Sequence, residues 1–394
     1  LSLKNIPKIL YSPVKAFSEI SKKPKVFIPI LIIVVILLVN LGVHYAAFSR
    51  FLLERGIPEK DEWTEPSSIE SNFWTTNGIL ELDYDDKYVG NASIKSTSEN
   101  QTVWMRINLS QTINCSEYDV LHFRFKWSQN NGAFPNQGAQ LRLFSDNTNY
   151  FLFDMVQKIS SANNTWANVT IAIGPKSMGW SKINSPDWES INALEFKLQW
   201  SEIANLTMKI DDLYFGGKFA TQVSFITEGL WFIYTMALSS YTFLRWTVIT
   251  IIIIIIFKIL RFKFDSWRNL FSILGYTLII DAIYRASLIL LFFSLPTINF
   301  PLRAWMPVDK GEKALMLAQE ISEKLYNEYW YNHIAYLVFP FLRLFFYIWF
   351  AVVIAALLRA LYGFSWSKSI LIATLVSFLS LFLLVPLFAP FIIV

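Results

Sequence analysis

Four ionisable residues sit inside long apolar runs: Arg245, Asp281, Arg285 and Arg343. A charge inside hydrocarbon is costly, faces the interior of a helix bundle, and marks either an ion pair or a binding site. Counted from the basic residues that flank their runs, Arg245 and Asp281 fall at one level, about 20 Å from Lys258 and Arg268 respectively. Arg285 is one turn beyond Asp281 on the same helix face, and Arg343 lies at similar depth. This set suits two kinds of chemistry. One is recognition of a lipid headgroup or substrate anion, as in a transport or lipid-handling protein. The other, which is the expectation, is an inter-span ion pair of Asp281 with Arg245 or Arg285, with the remaining arginines snorkelling outward. No second acid lies deep in the runs to form a proton relay, and Glu228 and His333 sit near the run ends.

The other chemistry-bearing residues are polar. Sequons of the form N-x-S/T occur at Asn91, Asn100, Asn108, Asn114, Asn163, Asn168 and Asn205. N-linked glycans on these asparagines require an exported, exposed segment. Carboxylate pairs occur at Asp85-Asp86 and Asp211-Asp212, but neighbours on a strand point to opposite faces and make a poor acid/base dyad. Walker A, G-x-S-x-G, HExxH and G-x-G-x-x-G motifs are absent. The single cysteine, Cys115, allows no intrachain disulfide, and the three histidines (His44, His122, His333) make no zinc spacing. An enzyme is therefore not expected. A net charge of +4 gives no reason to expect a nucleic-acid partner.

The elements that must position these residues follow from polarity. The chain has 394 residues, is 54% hydrophobic and only 16% charged, which is too apolar for an ordinary soluble domain. Residues 26–47 form a first span, read as a retained anchor because the run exceeds a signal-peptide core. Residues 60–217 are polar. Residues 218–394 turn apolar again, with an interfacial segment carrying Trp231, Phe232 and Tyr234 and further spans near 236–260, 270–294, 333–358 and 369–392.

Basic residues set the orientation. Lys4, Lys8, Lys15, Lys22, Lys23 and Lys25 precede the first span against Glu19 alone. Lys258, Arg261, Lys263 and Arg268 lie between the second and third spans against Asp265, and Arg359 and Lys368 between the fourth and fifth. In the 296–331 loop, Arg303, Lys310, Lys313 and Lys324 are offset by Asp309, Glu312, Glu320, Glu323 and Glu328. The N-terminus is thus expected in the cytoplasm, and 60–217 and the C-terminus outside. All seven sequons fall in the segment placed outside.

That segment has strand periodicity. In "VWMRINL" Val103, Met105, Ile107 and Leu109 alternate with Trp104, Arg106 and Asn108; "LHFRFKW" and "LEFKLQW" alternate likewise. One apolar and one polar face per strand predicts antiparallel sheets packed as a sandwich. Trp127, Trp166, Trp188 and Trp200 are expected in its core. Trp104 on a polar face, and Phe134 and Trp180 in loop-like stretches, are the candidates for stacking on a sugar.

The order "DKYVGNASIKS", "CSEYDVLHFRFKW", "NNTWANVTIAI", "DWESINALEFKLQW", "MKIDDLYFGG" resembles the jelly-roll fold of carbohydrate-binding modules and related galactose-binding-like domains. The resemblance implies a glycan ligand and one structural Ca²⁺ between an early strand and the closing aspartate. Asp211 or Asp212 would then be the closing ligand, with Glu81 or Asp83 as partners, in keeping with the oxygen ligands calcium takes. The alternative is that these carboxylates are solvated at strand ends.

A second resemblance lies at the start. Residues 1–25 contain Pro13, Phe17, Ile20 and Pro24 at the spacing P-x-x-x-F-x-x-I-x-x-x-P, and "LGYTLIIDAIYRASLIL" and "LYGFSWSKSI" follow in the later spans. These resemble the Yip family of five-span proteins, whose eukaryotic members interact with Rab GTPases in vesicle traffic. In that family a short loop joins the first two spans; here a whole domain intervenes. The lead-in is expected to be an amphipathic helix on the inner leaflet with its lysines toward anionic lipid.

The sequence thus predicts a multi-domain membrane protein: a five-span α-helical transmembrane domain with an extracellular all-β jelly-roll sandwich inserted between spans one and two. Its expected role is a non-enzymatic cell-surface scaffold that binds an envelope glycan or partner subunit within a larger membrane complex. Lysine- and isoleucine-rich, arginine-poor usage with sequons points to an archaeal envelope.

Overall fold

The computed structural model describes residues 6–226, 228–262, 266–307 and 312–388. Lys4, Lys263, Asp265, Asp309 and Lys310 lie outside the described residues, as do the side chains of Glu228, Trp231, Phe232, Tyr234, Glu312 and Lys313. The helices in chain order are α1 (Ile6–Tyr11), α2 (Pro13–Ile20), α3 (Phe27–Phe48), α4 (Pro66–Glu70), α5 (Glu228–Ile259), α6 (Trp267–Gly275), α7 (Leu278–Ser294), α8 (Leu302–Trp305), α9 (Glu312–Tyr326), α10 (Ile334–Tyr362) and α11 (Trp366–Phe388). The strands are β1 (Phe51–Ile57), β2 (Trp74–Thr76), β3 (Ile79–Asp83), β4 (Ser93–Ile113), β5 (Val120–Gln129), β6 (Gly138–Phe144), β7 (Tyr150–Asp154), β8 (Ala167–Ala172), β9 (Trp180–Ile183), β10 (Ile191–Thr221) and β11 (Ile298–Phe300). The chain divides into a helical unit, Leu1–Phe51 with Thr221–Ile298 and Tyr326–Val394, and a β unit, Leu52–Ala220 with Asn299–Leu325.

In the helical unit, five stretches among the described residues are long and apolar enough to cross a membrane: Phe27–Phe48, Thr235–Ile259, Trp267–Ser294, Ile334–Tyr362 and Trp366–Leu384. Their outward faces carry bare apolar side chains, Leu371 (71% exposed), Phe341 (72%) and Phe382 (71%) among them, as expected of helices solvated by lipid. The third stretch is α6 and α7 joined through Tyr276 and Thr277. A Cβ on Gly275 would lie 2.4 Å from Pro29, so a side chain there would push α6 off α3. Gly363, with φ +64°, closes α10 in the left-handed conformation.

The lead-in differs from expectation. Ile9, Ala16, Phe17 and Ile20 are almost fully buried and share one core with Val353, Leu357 and Phe257. Protein, not the inner leaflet, covers their apolar face. Lys15, Lys22 and Lys23 remain exposed.

The β unit is one connected antiparallel sheet folded over its own core. The long strands β4 and β10 pair along nearly their whole length, with an irregularity between Gln199 and Ala204. Before it β10 pairs with β6, after it with β5. One half of the sheet runs β2-β4-β10-β6-β7-β9, the other β3-β4-β10-β5-β8. Alternation does the rest: Phe123 and Phe125 from one half meet Phe196 from the other at 5.0 and 6.4 Å between ring centres. Trp127, Trp188 and Trp200 lie in this core; Trp166, expected there, is instead half-buried with its indole N–H on Asp86. The unit starts at Leu52, earlier than the polarity boundary at 60, because β1 joins β10.

Candidate functional site

The alternation that fills the core also lays out a polar sheet face. Paired residues across β4, β10, β6 and β7 place Trp104, Lys197, Gln140 and Asp154 in one row. The adjacent row holds Arg106, Glu195, Arg142 and Leu152. Arg142 donates from Nη1 to Glu195 Oε1 at 3.0 Å and from Nη2 to Gln140 Oε1 at 2.8 Å. Arg106 lies 4.2 Å over the Phe144 ring and donates from Nε to Asn108 Oδ1 at 3.1 Å. A cleft of about 490 Å³ empty volume opens on this face between Gly138, Gln140, Leu152, Asp154 and Ser181. Trp104 is the candidate aromatic on the same sheet face, two strands away from the cleft's Gln140. Phe134 and Trp180 are instead half-buried against the core. Phe134 meets Trp127 edge-on at 5.6 Å, and Trp180 meets Trp188 at 5.4 Å while donating to Ala172 O at 2.8 Å.

The carboxylates proposed from sequence do not come together. Glu81 pairs with Lys95 at 3.0 Å, and Asp83 with Lys209 at 2.7 Å. Asp86 accepts from Lys126 at 2.9 Å, from Trp166 Nε1 at 3.0 Å and from Lys209. Burial raises the Asp86 carboxyl, but these hydrogen bonds outweigh it and hold it at about 2.

Asp211 and Asp212 lie elsewhere, beside a residue the sequence reading passed over, Asp61. All three are buried. The strand alternation expected to separate Asp211 from Asp212 fails because the pairing with β5 shifts after Asp211 and Asp212 takes φ +50°. Asp211 Oδ2 accepts the backbone N–H of Tyr88 at 2.6 Å and of Val89 at 3.1 Å. Asp212 Oδ1 accepts Arg303 Nε at 2.6 Å. Asp61 Oδ1 accepts the Thr64 hydroxyl, while Asp61 Oδ2 is buried with no partner among the described residues. Burial, and next the charges of Asp211 and Asp212, push the Asp61 carboxyl well up. Asp211 is raised to about 6 by burial, against the opposing backbone hydrogen bonds. At Gly90, with φ +66°, a Cβ would strike Glu65 Oε1, and Asp61 Oδ2 lies 3.3 Å from the same point. The oxygens of Asp61 and Glu65 thus converge there.

Arg303 also donates from Nη1 to Glu59 O at 2.9 Å and lies 4.6 Å over the Tyr214 ring. Its neighbour Leu302 donates its N–H to Glu54 Oε2 at 2.7 Å, and Gly217 N–H reaches Glu54 Oε1 at 2.6 Å. Glu54 and Arg303 therefore bind Asn299–Leu325 into the β unit. The sequence reading missed both. It treated Arg303 only as a charge to be balanced and ended the first span region before Glu54 mattered.

In the helical unit Asp281 is shared by two arginines. Arg285 Nε lies 3.1 Å from Asp281 Oδ2, and Arg245 Nη1 lies 3.7 Å from Oδ1. Arg285 also donates to Asn40 Oδ1 at 2.7 Å and Thr242 Oγ1 at 3.2 Å. Both arginines of the expected pairing are thus engaged, and neither snorkels. Arg343 does not reach Asp281; its Nε donates to Tyr347 OH at 3.1 Å.

Of the sequon asparagines, Asn91, Asn100, Asn108, Asn168 and Asn205 are exposed, and Asn114 and Asn163 half-buried. Asn91 Nδ2 donates to Glu65 at 2.9 Å. Among the described residues no group of three or more His, Cys, Asp or Glu is arranged to hold a metal ion.

No family model matches the chain, and no curated protein matches it. Among solved structures it is similar to an exo-beta-agarase, at 12% identity and TM-score 0.28 over 41% of this chain and 25% of that one. It is also similar to the family 11 carbohydrate-binding module from Clostridium thermocellum in complex with a beta-1,3-1,4-mixed-linked tetrasaccharide (9%, TM-score 0.25, 36% and 88%). A family 30 carbohydrate-binding module matches at 14%, TM-score 0.25, over 34% and 72%. The chain spans about a quarter of the agarase's length. At these scores the likenesses say nothing of what this chain binds.

Proposed function

We propose that the chain is a non-enzymatic membrane protein that anchors a glycan-binding β-sandwich at the cell surface. The observation that carries this is the row Trp104, Lys197, Gln140, Asp154 on the polar sheet face. A sugar ring presents an apolar face and a rim of hydroxyls. Trp104 supplies a stacking surface, and the lysine, amide and carboxylate supply donors and acceptors beside it. Five apolar helices supply the anchor. Packing of Asn299–Leu325 into the same unit as Leu52–Ala220 supports placing both on one side of the membrane, as alternating spans require. The positive-inside rule makes that side the outside. The helical unit's tie to the Yip family rests on Pro13, Phe17, Ile20 and Pro24 together with the stretches "LGYTLIIDAIYRASLIL" and "LYGFSWSKSI".

A structural cation belongs to the same reading. Calcium prefers carboxylate oxygens, and Asp61 Oδ2 is a buried oxygen without a partner. Glu81 and Asp83 are committed to lysines, so Asp61 and Asp211 are the residues that would hold Ca²⁺, as charge compensation for a buried acidic cluster.

The test is a glycan array probed with the full-length protein in nanodiscs, wild type beside Trp104→Ala. Binding that the substitution lowers about tenfold or more, with thermal unfolding unchanged, supports the reading. If wild type binds no glycan on the array, or Trp104→Ala binds equally well, the sheet face is not a sugar platform. A partner protein recovered by crosslinking through this face would then take the glycan's place.

A further inference from the structure

We propose that a cleft among the membrane helices, walled by Arg245 and Arg343, binds a phosphate-type anion. The inference is independent of the glycan reading. The cleft is lined by Arg245, Asp281, Tyr284, Arg343 and Tyr347, with Phe346 and Phe350 on its apolar side; it is shallow and partly open rather than enclosed.

Charge accounting within the helical unit leads to this ligand. Arg285 directs its donors to Asp281, Asn40 and Thr242, and Asp281 is the one carboxylate facing Arg285 and Arg245 together. Asp281 Oδ2 also accepts Thr242 Oγ1. Arg245 shares Asp281 as an ion pair at 3.7 Å, without a hydrogen bond to it. Its Nε is buried with no hydrogen-bond partner among the described residues. It lies 4.3 Å over the Phe350 ring and 5.8 Å from the centre of the Tyr347 ring. Arg343 lies 5.6 Å from the centre of that same Tyr347 ring. Two guanidinium groups thus flank one tyrosine at the cleft, and no second carboxylate among its lining residues balances them.

Both arginines lie well inside their spans. Arg245 is ten residues from Thr235 and Arg343 nine from Ile334, the first residues of their spans. Each is about 14–15 Å along its helix from that end. A guanidinium prefers planar oxyanions and engages phosphate through two parallel hydrogen bonds. A phosphate between Arg245 and Arg343, with the Tyr284 hydroxyl as a further donor, would complete the cleft. The same chemistry is offered by a phospholipid headgroup drawn below the interface and by free inorganic phosphate.

The experiment uses the full-length chain in a phosphate-free maltoside detergent, followed by thermal unfolding. Three additives are compared: a short-chain phosphatidylglycerol, inorganic phosphate, and a short-chain diacylglycerol with neither phosphorus nor sugar. Protection by phosphatidylglycerol alone supports the site and assigns it to lipid; protection by inorganic phosphate as well supports it and assigns a free anion. Protection by neither, or equal protection by the diacylglycerol, overturns it. Arg343→Gln should weaken the phosphate-dependent effect about tenfold. Among the described residues Arg343 hydrogen-bonds Tyr347 alone, so Arg343→Gln is the variant chosen to keep the fold where Arg245→Gln does not. Undiminished protection in Arg343→Gln sinks the proposal.

Discussion

Arg303 donates from Nε to Asp212 Oδ1 at 2.6 Å across 91 residues of sequence. Both side chains are about nine-tenths buried. The pair joins Asn299–Leu325 to the closing strand of the β unit, so its loss should be felt in the sandwich. Arg303→Gln removes the guanidinium that Asp212 faces beside Asp211 and Asp61, and breaking one side of a buried pair costs about 3–5 kcal/mol. Faster proteolysis of the β unit in the full-length protein is the expected outcome. Adding Asp212→Asn should recover part of the loss, because the second substitution removes the stranded charge. A double variant as labile as the single one would mean that packing of Arg303 over Tyr214 matters more than charge.

The Lys126–Asp86–Lys209 network gives the β unit an acid limb. Burial opposes ionisation of Asp86, yet its lysine and indole partners hold it at about 2, below its unfolded value of 3.8. A depressed carboxyl adds stability that is present above the unfolded value and lost as pH falls toward the folded one. Asp86→Asn should therefore cost about 1 kcal/mol at pH 6, the figure being discounted for partial exposure. The cost should vanish between pH 4 and 2. Hydrogen exchange of β5 and β10 across that range provides the check. A cost that stays constant down to pH 2 would assign Asp86 a packing role alone.

If Asp61 and Asp211 hold calcium, chelation has a residue-specific signature. Adding a chelator at neutral pH should lower the unfolding temperature of the β unit, and Asp61→Asn should abolish that response. Glu81→Gln and Asp83→Asn should respond like wild type, because those carboxylates already face Lys95 and Lys209. A chelator effect that disappears in Glu81→Gln but survives in Asp61→Asn would restore the assignment made from sequence.

How far these features were legible in the sequence depended on whether they repeat. Spans and strands repeat a pattern over many residues, so the runs around Ile36, Ile253 and Val353 and the alternation through Val103, Met105 and Ile107 were readable. Single long-range pairings do not repeat. Nothing near Asp61 in "PEKDEWTEP" distinguishes a buried carboxylate from a solvated linker, and nothing near Arg303 names Asp212 as its partner. Phe134 and Trp180 sit among Gly, Pro and Ser and read as exposed loops, yet an indole or phenyl ring beside a sandwich edge finds the core. The irregularity at Asp212 reversed an argument from strand alternation that held elsewhere along β10. The amphipathic lead-in was visible, but a sequence cannot say whether lipid or protein covers an apolar face.

Topology can be tested with very little background, because the chain has one cysteine. Cys115 is fully buried, and burial pushes its thiol up, so the reactive thiolate is scarce. Cysteines introduced at exposed positions can then be labelled selectively with a membrane-impermeant maleimide on intact cells. Ile203 and Gln319 are both exposed in the β unit, although two membrane spans lie between them in sequence. Ile203→Cys and Gln319→Cys should therefore label together. Lys22→Cys, one span away from Ile203, should label only after the cells are opened if the lysines before α3 set the proposed orientation. Labelling of Ile203→Cys without Gln319→Cys would break the five-span count. Labelling of Lys22→Cys alone on intact cells would keep the count and invert the protein, placing the seven sequons where no glycan is attached.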